Sequence, residues 1–180
     1  MGVQVALLSA VNVGGRKMEM APLRAACLAA GFARVETLLA SGNVLIDAGR
    51  QNAAAIAKQL EALIVAKFAI ATTAILRTAA ALEQAAIDDP YPDCSGNRVL
   101  TIFLQRPPGK AEIAALIGYV AGRNRFAIAG DVIYVDARDS VSDIKITPAA
   151  MKRHLGQVGT ARNRNTVEKL AAKARAMEAE

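Results

Sequence analysis

Three short polar stretches hold the residue types that could do chemistry. The first is Asn12-Val13-Gly14-Gly15-Arg16-Lys17. Its glycines allow a tight turn that brings backbone N–H groups close to an oxyanion, and Arg16 and Lys17 supply positive charge. It lacks the second Gly followed by Lys and Ser/Thr of a P-loop, and it is not the Gly-x-Gly-x-x-Gly of dinucleotide folds. Taken alone it reads either as an anion-binding turn or as an ordinary surface turn. The second stretch, Ser41-Gly42-Asn43, is by composition and spacing a hairpin device. The third runs from Gly159 to Thr166, just before the last predicted helix. Within it, Asn165 with Glu168 three residues later predicts a capping box. Arg162 and Arg164 would then lie near the positive end of a helix dipole, a disfavoured place for a cation unless an anion is close. That mismatch points to a ligand.

Other residues offer less. Asp136, Asp139 and Asp143, with Ser140 and Ser142, follow a predicted hairpin and could hold Mg²⁺ or simply stay solvated; no calcium-loop spacing is present. Ser142-Asp143-Ile144-Lys145 matches the short Ser-x-x-Lys pattern by chance, since its companion motifs are missing. The single histidine, His154, reads as a solvated helix-end residue. Cys27 and Cys94 lie far apart without a Cys-x-x-Cys, so neither a zinc site nor a disulfide is expected, and Cys27 falls on an apolar helix face as a buried thiol. No Gly-x-Ser-x-Gly or His-Glu-x-x-His occurs. No cofactor is expected, and whether the chain is an enzyme stays open.

Charge sharpens the choice of partner. Residues 1–97 carry 8 basic and 8 acidic side chains, residues 98–142 carry 6 and 4, and residues 143–180 carry 8 and 4. The net +6 therefore arises in the second half. Lys145, Lys152, Arg153, Arg162, Arg164 and Lys169 face only Glu168 between 145 and 169. Such an excess suits a phosphate-bearing ligand, a nucleic acid or an acidic protein, or else a solvated helix face. Stacking recognition of RNA is not expected. Phe103 sits in a strand without the paired aromatics and basic glycine pattern it would need, and Phe32, Phe68 and Phe126 read as core.

The elements that must position these residues follow from apolar spacing. The chain has 180 residues and is 53% hydrophobic, with 39 alanines inflating that figure, which is globular composition. No run of about 18 uncharged apolar residues occurs, so no spanning helix is expected. The opening residues lack the features of a secretory leader, and a cytoplasmic setting is the expectation. A strand over 3–8 leads through a loop at 9–17 to a helix over 22–30, with Pro22 at its first position. Strands over 35–39 and 44–47 flank the turn Ala40-Ser41-Gly42-Asn43. A helix over 52–68 and a strand over 72–76 complete a βαββαβ order. After a helix near 78–87, Asp88-Asp89-Pro90-Tyr91-Pro92 breaks the pattern. A second βαββαβ follows: a strand over 99–104, a helix after Pro107-Pro108-Gly109, strands over 126–129 and 132–135 around Gly130-Asp131, a helix over 148–155 and a strand near 158. A final helix runs to about 177. The fold expected is α+β, two ferredoxin-like subdomains in tandem: residues 1–77, a helix and Pro-containing linker over 78–97, and residues 98–180 with the terminal helix.

Taken in order, the three polar stretches resemble a known family. Leu7-Leu8-Ser9-Ala10-Val11-Asn12-Val13-Gly14-Gly15 looks like the opening Leu-Leu-Arg-Gly-Ile-Asn-Val-Gly-Gly of the bacterial domain of unknown function 1697. Ser41-Gly42-Asn43-Val44 matches its Ser-Gly-Asn-Val turn, and Thr160-Ala161-Arg162-Asn163-Arg164-Asn165-Thr166 its Thr-x-Arg-Asn-Trp-Asn-Thr stretch. The resemblance implies an α+β fold of two related subdomains and no established activity. Ser9-Ala10 stands where the family has Arg-Gly, and Arg164 where it has Trp. The resemblance raises Asn12, Gly14, Gly15, Ser41, Gly42, Asn43, Lys145, Arg162, Asn163 and Thr166 as candidate ligand-binding residues; Lys17 and Arg164 join them by charge.

The reading is a protein of unknown biochemical function that binds a phosphate-bearing small molecule or nucleotide in a basic cleft, formed by the first loop and the entrance to the final helix. The alternatives are a metal-dependent phosphate-ester hydrolase using Asp136, Asp139 or Asp143, non-specific nucleic-acid binding by the C-terminal basic region, and a protein-interaction module. Nothing in the sequence fixes an oligomeric state.

Overall fold

The computed structural model describes residues 2–12, 18–120, 122, 125–137 and 144–180. Strand β1 (Val3–Leu8) reads as a nearly continuous apolar run because neither of its faces meets solvent: Val5, Ala6 and Leu7 are fully buried. Helix α1 (Met20–Ala29) follows, then β2 (Val35–Thr37), β3 (Asn43–Asp47), α2 (Ala53–Phe68) and β4 (Ala74–Thr78). The strands form one antiparallel sheet in the order β2-β3-β1-β4, with Val5 opposite Leu45 and Arg77. One face, carrying Ala6, Leu8, Val44, Ile46 and Ala74, packs with Leu23 and Cys27 of α1 and Ile56, Leu60 and Ile64 of α2. A fully buried Leu or Ile contributes about 1.5–3 kcal/mol, so this face supplies much of the stabilisation.

After α3 (Ala79–Ile87) the plan repeats as β5 (Val99–Leu104), α4 (Lys110–Val120), β6 (Arg125–Ala129), β7 (Val132–Asp136), α5 (Pro148–Leu155) and β8 (Gly159–Asn163). The second sheet has the equivalent order β6-β7-β5-β8, again antiparallel. Ile102, Leu104, Ile133 and Val135 pack with Leu116 and Val120 of α4 and Met151 and Leu155 of α5. The closing helix is α6 (Arg164–Ala179). Among the described residues no helix is long and apolar enough to cross a membrane.

Several boundaries move from their sequence positions for identifiable reasons. β2 ends at Thr37 rather than residue 39 because Leu39 is left-handed, and Asn43 joins β3 instead of the turn. α1 opens at Met20 after extended Glu19, which places Pro22 third in the helix, where its missing N–H is still harmless. β4 runs over Ala74–Thr78, starting two residues later than expected, after Ser9 has bonded Thr72 and Thr73.

The chain divides into two compact units: residues 1–82 with 169–180, and residues 83–168. The stretch over 88–97 thus belongs to the second unit, and the end of α6, which the sequence groups with the second half, belongs to the first. Polar anchors account for that return. Lys173 pairs with Glu36 and holds its carboxyl below the usual range, while Arg34 donates to the Met177 carbonyl at 2.9 Å and pairs with Glu180.

Candidate functional site

The first unit brings the first two polar stretches together. Leaving β1, Ser9 donates its N–H to the Thr73 carbonyl and accepts the Thr73 N–H on Oγ at 3.0 Å, while its carbonyl accepts from Thr72 Oγ1. The chain then changes hand twice. Ala10 has φ 53° and Asn12 φ 55°, with Val11 between them outside the left-handed region. Asn12 ties this loop to both of its neighbours: Oδ1 accepts the Met18 N–H, and Nδ2 donates to the carbonyls of Met18 and Ala40. The turn before β3 closes against the loop from the other side. Leu8 N–H donates to the Gly42 carbonyl, and a Cβ on Gly42 would lie 2.2 Å from Val11 Cγ2. With φ 75° as well, position 42 has two reasons to be glycine. Asn43 is 0% exposed and donates to the Leu38 carbonyl at 2.7 Å and to Ser41 Oγ at 2.9 Å. Asn12 and Gly42 are thus the parts that lock the two loops together, while Asn43 braces the turn from within.

What these locks leave over is a short run of backbone. The N–H groups of Ala10, Val11 and Asn12 meet no acceptor among the described residues. Backbone that alternates hand turns successive N–H groups towards one point, the arrangement that cradles anions. Gly14, Gly15 and Lys17 lie outside the described residues.

The third stretch has a different outcome. Asn163, not Asn165, caps α6: its Oδ1 accepts from Thr166 N at 2.9 Å and from Thr166 Oγ1 at 2.8 Å. The expected Asn165–Glu168 capping box is displaced because β8 continues through Asn163, which starts the helix at Arg164. Asn165 instead backs onto the turn before β5, where a Cβ on Gly96 would overlap its Oδ1 at 1.9 Å. Arg164, the cation at the wrong end of a helix, has its anion inside the protein. It pairs with Asp89 at 2.8 Å and donates to the carbonyls of Tyr91 and Cys94. Arg162 is 7% exposed and donates to Thr160 Oγ1 and the Ala161 carbonyl, both at 2.8 Å. Burial brings its guanidinium down to about 10. Lys145 is exposed on the approach to α5.

The two halves of the expected basic cleft fall in different units, Asn12 in the first and Arg162 in the second. Asp136 accepts an ion pair from Arg125 at 3.1 Å, a cation where a metal was considered; Asp139 and Asp143 lie outside the described residues. Among the described residues no group of three or more His, Cys, Asp or Glu stands together. Both cysteines are free and buried, and burial pushes the Cys27 thiol up to about 11. Phe103 is buried in the core. His154 is not simply solvated: its ring stacks on Tyr119 at 4.6 Å, and its buried Nε2 meets no partner among the described residues.

Sequence reasoning missed Ser9, Ala10, Asp89 and Leu39. Ser9 and Ala10 registered only as departures from the family pattern. The departure at Ala10 now has a meaning, since the family's Gly would fit φ 53° without strain. Asp89 stood in the sequence as part of a helix-breaking stretch. No local signal joined it to Arg164, 75 residues later.

Comparison with known proteins agrees with this architecture. Among curated proteins none matches the chain. A solved structure described as the conserved bacterial protein SP0830 from Streptococcus pneumoniae superimposes with a TM-score of 0.71 over 97% of this chain and 99% of that one, at 18% identity. That likeness shows a shared fold. Residues 1–134 match the family described as "Protein of unknown function (DUF1697)", a match that holds the first two polar stretches and ends before the third. With most of its length matched and the motifs of the first unit in place, the chain belongs to the DUF1697 family.

Proposed function

We propose that this protein binds a phosphate-bearing small molecule through the β1–α1 loop of its first unit. The observation that carries the reading is the row of three N–H groups, Ala10 to Asn12, without an acceptor among the described residues. In sequence they run directly into Gly14-Gly15-Arg16-Lys17, which adds two positive charges and the glycines a close approach requires. The second unit supports nucleic acid less well than its charge suggested. Arg106, Arg125 and Arg164 are paired with Glu112, Asp136 and Asp89, and Arg162 is buried. Two free cysteines, far apart in sequence, fit a cytoplasmic setting.

Titration calorimetry and thermal shift with inorganic phosphate, at moderate salt, test the reading. Saturable binding should raise the melting temperature by mass action. The double variant Arg16→Ala/Lys17→Ala should weaken affinity about tenfold, as expected for losing two nearby charges. The exposed second-unit pair Lys152→Ala/Arg153→Ala should leave it unchanged. Absence of saturable binding, or equal loss in both double variants, overturns the assignment. A response to oligonucleotides alone, erased by salt, transfers it to nucleic acid.

A further inference from the structure

Leu39 stands one residue before the Ala40 carbonyl that Asn12 holds, and it is unusual on two counts. Its φ is 59°, and its side chain is 52% exposed. Either feature has ordinary explanations alone. Other large apolar residues are exposed too, Ile87 and Ile117 among them. A left-handed non-glycine residue can also be a helix cap, as Ala69 is after α2. Together they need a reason. A bulky side chain in the left-handed region is strained, and exposure means that burial does not offset the strain. Glycine would make the same turn freely, and this chain places glycine at six other left-handed positions among its described residues. The fold therefore has no use for leucine here, while the turn that carries it is fastened to the loop with the open N–H groups.

Resting on the phosphate-binding reading, we infer that Leu39 is the specificity residue of that site: it offers an apolar contact to the organic group of the ligand. The ligand is then a phosphate monoester of an apolar group, such as an aryl phosphate, rather than phosphate itself.

The probes are inorganic phosphate and phenyl phosphate, titrated calorimetrically into the wild-type chain, Leu39→Ala and Leu39→Gly. The wild type should prefer phenyl phosphate by about tenfold, the scale of one apolar side-chain contact. Both variants should lose that preference while binding inorganic phosphate as before. Leu39→Gly should also melt about 2 °C higher from relief of strain, which separates lost contact from lost folding. Equal wild-type affinity for the two probes, or a preference that survives both substitutions, overturns the inference and leaves the phosphate site standing. Failure of both probes to bind overturns both, and binding of inorganic phosphate alone overturns only the inference.

Discussion

The connection leaving β1 and the connection leaving β5 occupy the same place in their sheets, each running from an inner strand to the first helix of its unit. In the second unit most of the connection's donors are met or absent. Pro107 and Pro108 carry no N–H, Gly109 N–H donates to Glu112 at 2.7 Å, and Arg106 N–H donates to Gln157 Oε1. Arg106 and Glu112 close it with two bonds of 2.9 and 2.6 Å, which hold the Glu112 carboxyl down at about 2. In the first unit the same connection is left-handed at two positions and has three N–H groups without an acceptor among the described residues. The hairpin turns differ in the same direction. The β6–β7 turn is the minimal Gly130-Asp131, whereas the β2–β3 turn is longer, holds strained Leu39 and is pinned to its neighbour. Repeating a frame does not repeat its loops: left-handed backbone, and N–H groups without an acceptor among the described residues, set the first copy apart from the second.

The contrast can be broken most sharply at its turn glycines. Gly42→Ala meets Val11 and a left-handed backbone and should lose about 3 kcal/mol, whereas Gly130→Ala, with φ 57° in open space, should lose only about 1 kcal/mol. Urea midpoints compare them, and equal losses would mean that the β2–β3 turn is not packed against its loop. A smaller effect concerns the β5–α4 connection. The unfolded Glu112 carboxyl takes up a proton near its ordinary 4.5, while the folded one resists until about 2. Its stabilisation is therefore complete above pH 4.5 and fades as pH falls towards 2. Glu112→Gln should be less stable than wild type at neutral pH, with the gap closing in acid; a gap constant with pH would remove the ion pair from the account. The smallest change is Ala10→Gly, which exchanges left-handed strain for a more flexible unfolded chain and should gain about 0.5 kcal/mol. A loss of stability in a melting experiment would show that Ala10 is not strained.

Much of the frame was legible in the sequence because it rests on local signals. Apolar runs bounded by glycine and proline located both βαββαβ repeats, and Gly130-Asp131 announced its hairpin. The site was legible only in part. Asn12 and Ser41-Gly42-Asn43 were visible as polar turns, but their joint role depends on a bond between residues 28 apart. Arg164 looked like half of a ligand site because its partner, Asp89, is remote in sequence. The cap at Asn163 was misplaced because strand pairing, not side-chain preference, decides where β8 stops. Ala10 and Leu39 could not be found at all: neither residue type announces a left-handed backbone.

The return of α6 to the first unit bears on how the chain is made. Residues 1–82 emerge first, yet residues 169–180, with Lys173 and the backbone that Arg34 holds, arrive only after the whole of 83–168. At about 5–20 residues per second, those 86 residues delay completion by roughly 4 to 17 s, ample time for the intervening unit to fold. The earlier half of the chain is therefore finished last. During that interval Glu36 lacks its lysine and the Arg34 guanidinium lacks its carbonyl, so the nascent first unit stands without these two anchors until its own last helix turns arrive.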